Sequence, residues 1–534
     1  MGYNGQIATI PIGRGGLVTD IPSAEISAKY LTRAINCTLV NGYAEKDFGS
    51  RNWNQTALGT GIAGFKDYWP SEVLQRVFVV GKNGLVYRFT NPASSSVVLP
   101  VGDAPTTLNV SQYVNFVLCG QEEAGNERKL FILTGNSPIQ VVSGDGTDRS
   151  DIALPAADWS GTNQPFMAVQ HRGELYAFGN RNDPHRVYKS DVLDHERFQG
   201  GTATSYSVFP GESQRIIAMA VHRNRLYALK YPKGLYYLVD EDPDQDNWYF
   251  VKSQETFGGS SPRCAVPFLD DFMVANQFNS LTSVAAAFTF GDFQSSDIFS
   301  IYRCKNFSDQ EIAPTSFGER QGIYYESKQQ VMYSFRSVAS NVNDRICNLN
   351  FRDPQAAIIT WNTKDRPNCL DQIQDSYGVE RPCYGANDGF IYVMDQEDRL
   401  IRSGASTSAY EFQIQTPHLD LGEFDPLLSE QVKQFDSFEL GFIPTGRWNA
   451  TVEVFIDGKF HRTAEIEVSG RSELGQFRLG QSRLDDGVSW AKMAEVKGNG
   501  RRIGFRISNS GLGENVKISK IRIYFTVAGQ EQKK

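Results

Sequence analysis

Short runs of alternating apolar and polar residues, each entered through a polar turn, recur along the middle of the chain. The clearest reads Val169-Gln170-His171-Arg172-Gly173-Glu174-Leu175-Tyr176-Ala177-Phe178. It is matched by Ala220-Val221-His222-Arg223-Asn224-Arg225-Leu226-Tyr227-Ala228-Leu229. A period of two marks β-strands, and the Arg, Gly and Asn between the runs supply the turn. Leaner copies follow the same grammar. Asn83-Gly84 leads into Leu85-Val86-Tyr87, Arg128-Lys129 into Leu130–Leu133, and Asp270-Asp271 into Phe272-Met273-Val274. Gln321-Gly322 leads into Ile323-Tyr324-Tyr325, and Asp388-Gly389 into Phe390–Val393.

Anchored on Val86, Leu130, Leu175, Leu226, Phe272, Ile323 and Ile391, these copies are 44, 45, 51, 46, 51 and 68 residues apart. A period of roughly 40–50 residues built from short strands predicts a β-propeller with four-stranded blades. A helical solenoid would need a 3.6-residue period, which these segments lack. One blade leaves both faces of its sheet uncovered, so blades must stack radially and the ring must close. The expected fold is mainly β: a propeller of about seven blades (six to eight) over residues 71–404. The 68-residue interval reads as a blade with an inserted loop.

The flanks differ. Residues 1–70 carry no blade pattern and read as an N-terminal arm and platform or blade-closing segment. Within it, Ser23–Asn36 could form a short helix with Ile26, Tyr30, Leu31 and Ile35 on one side. Residues 405–534 alternate plainly. Phe438, Leu440 and Phe442 form one strand, and Val452, Val454 and Ile456 lead to an Asp457-Gly458 turn with a return at Phe460. Ile503, Phe505 and Ile507, then Ile521, Ile523 and Phe525, give two more. This predicts a separate β-sandwich-like domain.

Composition supports the β reading. The 534 residues include 48 Gly, 34 Phe and 23 Tyr, a mixture suited to strands and tight turns. With 53 Lys+Arg against 61 Asp+Glu the net charge is −8, which argues against an ordinary nucleic-acid binder. The longest apolar run, Ile216–Val221, is far below the ~20 residues that span a bilayer. The first residues show neither the basic nor the apolar region of a secretory signal, and Gln6 stands where a myristoylation site needs Ser or Thr. The seven cysteines form no CxxC pair, so reduced, buried thiols made in a cytosol are expected. Cys347, Cys369 and Cys383 are spaced 22 and 14 apart, which matches no common zinc pattern.

Motifs for chemistry are sparse. Gly59-Thr60-Gly61-Ile62-Ala63-Gly64 fits GxGxxG but lacks the strand before and helix after, so a turn is expected. His171 and His222 occupy equivalent repeat positions, which points to a structural hydrogen bond in a turn. The other histidines make no metal-binding spacing. Ser143-Gly144-Asp145-Gly146 approaches the Ser-x-Asp-x-Gly turn of sialidase propellers, but Thr147 takes the Gly position. The densest acidic stretch, Asp240-Glu241-Asp242-Pro243-Asp244-Gln245-Asp246, follows a clear strand. It reads as a loop at the propeller rim: solvated, or a calcium loop that Pro243 and a missing Gly make unlike an EF-hand, or a negative rim beside a DNA path. No catalytic residue, cofactor or metal is expected.

Several segments resemble a known family. Asp20-Ile21-Pro22, Arg33-Ala34-Ile35-Asn36 and Asn41-Gly42-Tyr43-Ala44-Glu45-Lys46, ending Phe48-Gly49, resemble the opening of the tail nozzle (tail tubular or tail stabilisation) proteins of short-tailed bacteriophages. Gly173–Phe178 with Pro184, Val187-Tyr188 and Ser190, and Thr416-Pro417-His418-Leu419-Asp420-Leu421-Gly422, extend the resemblance. It implies a structural virion protein of the phage tail, assembled in the host cytoplasm. Copies would form a ring, usually a hexamer, below the portal and adaptor proteins, extending the DNA-ejection channel. Tail fibre or receptor-binding proteins would be further partners, and no membrane insertion is implied. An acidic surface suits DNA that must pass without being gripped. The alternative is a virion-associated propeller that binds or depolymerises glycans.

Overall fold

The computed structural model describes residues 5–12, 14–40, 42–71, 74–97, 99–100, 107–110, 114–120, 128–192, 194–213, 215–290, 297–301, 304–313, 320–351, 358–363, 367–396, 399–403, 406–469 and 490–527. The alternating runs become small antiparallel sheets in chain order. The first sheet holds Ile62–Ser71, Leu74–Gly81, Val86–Asn91 and Ser94–Val97. The third holds Met167–His171, Glu174–Phe178, Arg186–Lys189 and Thr204–Ser207, and the fourth Arg215–His222, Arg225–Tyr231, Leu235–Val239 and Tyr249–Gln254. The leading strands of the second, fifth, sixth and seventh begin at Asn115, Ala265, Gln321 and Cys369, and the second also takes in Leu99–Pro100, paired in parallel with Asp148–Asp151. The leading strand of each sheet packs on the leading strand of the next, and Cys369–Gln374 of the seventh packs back on Ile62–Ser71. This cyclic order is a β-propeller, with seven sheets in the ring among the described residues.

Strand period explains why the ring holds. In Glu174–Phe178, Leu175 and Ala177 join the core shared with the second sheet, while Tyr176 and Phe178 join the core shared with the fourth. Leu130 and Ile132 face the first sheet, and Phe131 and Leu133 face the third. Both faces of a second strand are therefore apolar, and each fully buried large side chain stabilises by about 1.5–3 kcal/mol. Near the ring interior the sheets converge, and side chains must shrink. A Cβ on Gly322 would come within 2.4 Å of Val266 in the fifth sheet. One on Gly64 would come within 3.0 Å of Val114 and Phe116, on the chain that enters the second sheet.

Not every repeat anchor marks the same strand. Leu130, Leu175, Leu226 and Phe272 lie on second strands, Val86 and Ile391 on third strands, and Ile323 on a first strand. Short Gly- or Asn-containing turns join first to second strands at Arg172-Gly173 and second to third strands at Asn83-Gly84 and Asp388-Gly389, so the turn pattern alone does not tell these hairpins apart. The extra chain length falls between the fifth and sixth sheets, where Val284–Phe290, Ile298–Ile301 and Lys305–Glu311 are helical. Residues 62–70, placed with the arm by sequence, form the ring's first strand. Pro70 is accommodated there because the register shifts between Tyr68 and Ser71. Cys347, Cys369 and Cys383 lie on strands of the sixth and seventh sheets. All seven thiols are buried, and burial raises their pKa values.

The C-terminal strands form two facing sheets, and the N-terminal segment completes both. Lys517–Val527 pairs with Lys433–Ile443, with Gln6–Pro11 and with Tyr43–Lys46. The facing sheet includes Arg447–Ile456, Ile503–Asn509, Phe412–Gln415 and Arg33–Ile35. Ile35 also pairs with Trp361, so this sheet runs on into the sixth propeller sheet as nine strands. The helix expected over Ser23–Asn36 is absent. Turns and the strand Arg33–Ile35 replace it, because pairing with Phe412–Gln415 outweighs a weak local preference. Ile26 and Leu31 are still buried.

Phe505 and Phe438 meet across the sandwich with ring centroids 5.2 Å apart, both fully buried. Phe505→Ala is expected to cost about 3–5 kcal/mol in urea denaturation. Leu427→Ala, at a 73% exposed position, is expected to stay within about 0.5 kcal/mol of the parent.

Candidate functional site between the first, second and seventh sheets

Polar residues on the leading strands of a propeller end up in its interior, and here they make an ion-pair bridge. Asp371, on Cys369–Gln374 of the seventh sheet, accepts from Lys66 Nζ at 2.9 Å and from Arg263 at 3.0 Å. Lys66 belongs to the first sheet, and Arg263 immediately precedes the fifth. The sixth sheet stands between the fifth and seventh, so this contact spans the interior of the ring. Burial alone would raise the Asp371 carboxyl, but Lys66 and Arg263 outweigh it and hold its pKa below the ordinary value.

One residue further along, Asp67 is buried with both oxygens occupied. It accepts from Gln75 Nε2 at 2.9 and 3.1 Å, from Trp69 Nε1 at 3.2 Å and from the Gln374 amide at 2.9 Å. Burial raises its pKa, and the hydrogen bonds offset part of that rise. Beside it opens a cavity of about 380 Å³, at the end of the ring where the hairpins between first and second strands lie. The first sheet contributes Lys66, Asp67 and Trp69. Leu118 and Arg128 come from the second, and Gln372, Gln374 and Glu380 from the seventh. Its volume is in the range of small-molecule sites. Sequence pattern does not single these residues out, because residues 1–70 carry no blade repeat and Pro70 argues against a central strand. The signal that points to a strand is the aromatic content of the segment, Phe65, Tyr68 and Trp69.

The acidic stretch lies elsewhere. Asp240 is buried, not on the surface. Its carboxylate meets His171 Nε2 at 2.8 Å and Arg172 at 3.2 Å, both from the third sheet's first turn. It therefore ties the fourth sheet to the third. Glu241, Asp242, Asp244 and Asp246 are exposed, between the third and fourth strands of their sheet and so away from the leading strand. Asp242 and Asp244 accept from the amides of Asp244 and Asp246 at 2.8 and 3.1 Å, which folds the loop on itself. The equivalent His222 lies 3.2 Å from the Asp270 carbonyl of the fifth sheet. The repeated histidine thus bonds to the next sheet and not within its own turn. Gly59–Gly64 is a turn running into the strand Ile62–Ser71, with no helix after it. Among the described residues no group of three or more His, Cys, Asp or Glu gathers as metal ligands.

The ring of sheets with its polar mouth defines a β-propeller protein. No protein-family model matches the chain, and no curated protein matches it. Solved structures with a similar course include BBS1N in complex with ARL6DN, at 9% identity over 65% of this chain and 96% of that one, TM-score 0.40. YCF48 from Cyanidioschyzon merolae is 8% identical over 65% and 98%, TM-score 0.39. An exo-beta-1,3-galactanase from Phanerochaete chrysosporium is 12% identical over 90% and 100%, TM-score 0.28. At these identities and scores no activity passes from them to this chain.

Asp371→Ala would leave Lys66 and Arg263 facing one another without their counterion, at an expected cost of about 3–5 kcal/mol. The folded pKa of Asp371 lies below its unfolded value of 3.8, so its contribution is complete above that value and lost as pH falls through the lowered one. Denaturation at neutral and strongly acidic pH should show the gap between parent and variant shrinking in acid.

Proposed function

We propose that this chain is a structural virion protein, a subunit of the ring-shaped tail nozzle of a short-tailed bacteriophage. The observation that carries the reading is the nine-stranded sheet that continues from the sixth propeller sheet into the sandwich. A ring that joins a portal and adaptor above to fibres below must transmit load through each subunit. Unbroken backbone hydrogen bonding between two domains does so better than a flexible linker. The resemblance of Asp20–Gly49, Gly173–Ser190 and Thr416–Gly422 to nozzle proteins supports the same reading. In it, DNA travels along the axis of the assembled ring. The interior of each propeller is bridged by Lys66, Asp371 and Arg263 and is not a path for it.

Electron microscopy and mass measurement of the full chain, alone and mixed with a portal–adaptor complex, test the proposal. The expected result is a closed ring, hexameric by resemblance, stacked on the adaptor. A chain that stays monomeric in both conditions contradicts it.

A further inference from the structure

The cavity between the first, second and seventh sheets is unused by a purely structural role, and its chemistry is specific. We infer that it binds a neutral saccharide, one or two hexose or N-acetylhexosamine units, with Trp69 as the stacking surface. The indole N–H is tied to Asp67 at 3.2 Å, so the ring that lines the cavity is held in one orientation before any ligand arrives. Such a preset apolar plane fits the C–H face of a pyranose. Around it stand Gln372 and Gln374, whose amide nitrogens donate to the Tyr324 and Gly378 carbonyls at 2.5 and 2.9 Å and so fix their side chains, with the exposed Glu380 carboxylate as an acceptor for ligand hydroxyls. Gln374 pairs with Glu380 across the hairpin that bears Tyr377. Tyr377, in that hairpin's turn, is 89% exposed.

Charge excludes the main competitor. The cationic lining residues, Lys66 and Arg128, are matched by Asp67 and Glu380, and Lys66 already serves Asp371. A phosphate or polyanion would find no net positive field here. Hydrolysis is not part of the inference, because both Asp67 oxygens are engaged as acceptors. The bound saccharide should therefore be recovered intact. The inference does not rest on the ring reading, since assembly and sugar binding are measured separately.

Saturation-transfer NMR and calorimetry on the full chain with cellobiose, lactose, maltose and chitobiose test it. At least one should bind with a millimolar or tighter Kd. Trp69→Ala should weaken it by about tenfold or more, and Trp69→Phe should retain most of it. Glu380→Ala, at an exposed position, should weaken it severalfold and guards against a Trp69→Ala chain that does not fold. No binding by any of the four sugars overturns the inference. So does binding that Glu380→Ala and a folded Trp69→Ala both leave unchanged.

Discussion

A ring of sheets is stable only when its last member meets its first and finds a partner for its outer edge. Here that partner comes from the opposite end of the chain. Gly49–Asn52 pairs antiparallel with Ile391–Gln396 of the seventh sheet, and Leu400–Ser403 then pairs with Gly49–Asn52 in parallel. The same N-terminal segment, a few residues earlier, supplies Arg33–Ile35 and Tyr43–Lys46 to the two sandwich sheets. Closing so long a loop costs entropy that grows only slowly with length, so a distant partner is thermodynamically acceptable. Once it is in place, ring and sandwich are held by one continuous strand path.

Side chains reinforce that crossing. Phe48 is covered by two cations, Arg399 at 3.6 Å and Lys328 at 3.9 Å from its ring centroid. Glu45 pairs with Arg399 and with Lys517 at 3.1 Å, and Lys328 pairs with Asp395. Lys46 is fully buried and donates to Asn509 Oδ1 at 2.8 Å and the Gly511 carbonyl at 3.1 Å. Its pKa is lowered to about 8, chiefly by burial. Between pH 8 and the ordinary lysine value of 10.5 the unfolded chain binds more protons than the folded one, so this residue's contribution to stability grows with pH there.

The alternation at Leu175–Phe178 and Leu226–Leu229 is legible in the sequence because both strands are buried on two faces and flanked by turn residues. The propeller follows from it. The role of the N-terminal segment is not legible, because Arg33–Ile35 and Gly49–Asn52 are short strands whose partners lie over three hundred residues away. Local pattern carries no trace of such pairing. The site was obscured for a related reason: Lys66, Asp67 and Trp69 look like loop residues until the seventh sheet closes over them. Asp240 shows the converse. It reads as one of a run of acids, yet His171 from the neighbouring sheet makes it a buried anchor while Asp242 and Asp244 remain in water.

Propeller and sandwich are joined through the strands Arg33–Ile35, Tyr43–Lys46 and Gly49–Asn52, and hydrogen–deuterium exchange of the full chain measures how firmly. The paired amides of Arg33–Ile35 and Gly49–Asn52 are expected to exchange as slowly as those of their partners, Phe412–Gln415 and Ile391–Gln396. Exchange of the N-terminal strands orders of magnitude faster than their partners would contradict it, because the segment would then lie on the molecule without holding it together.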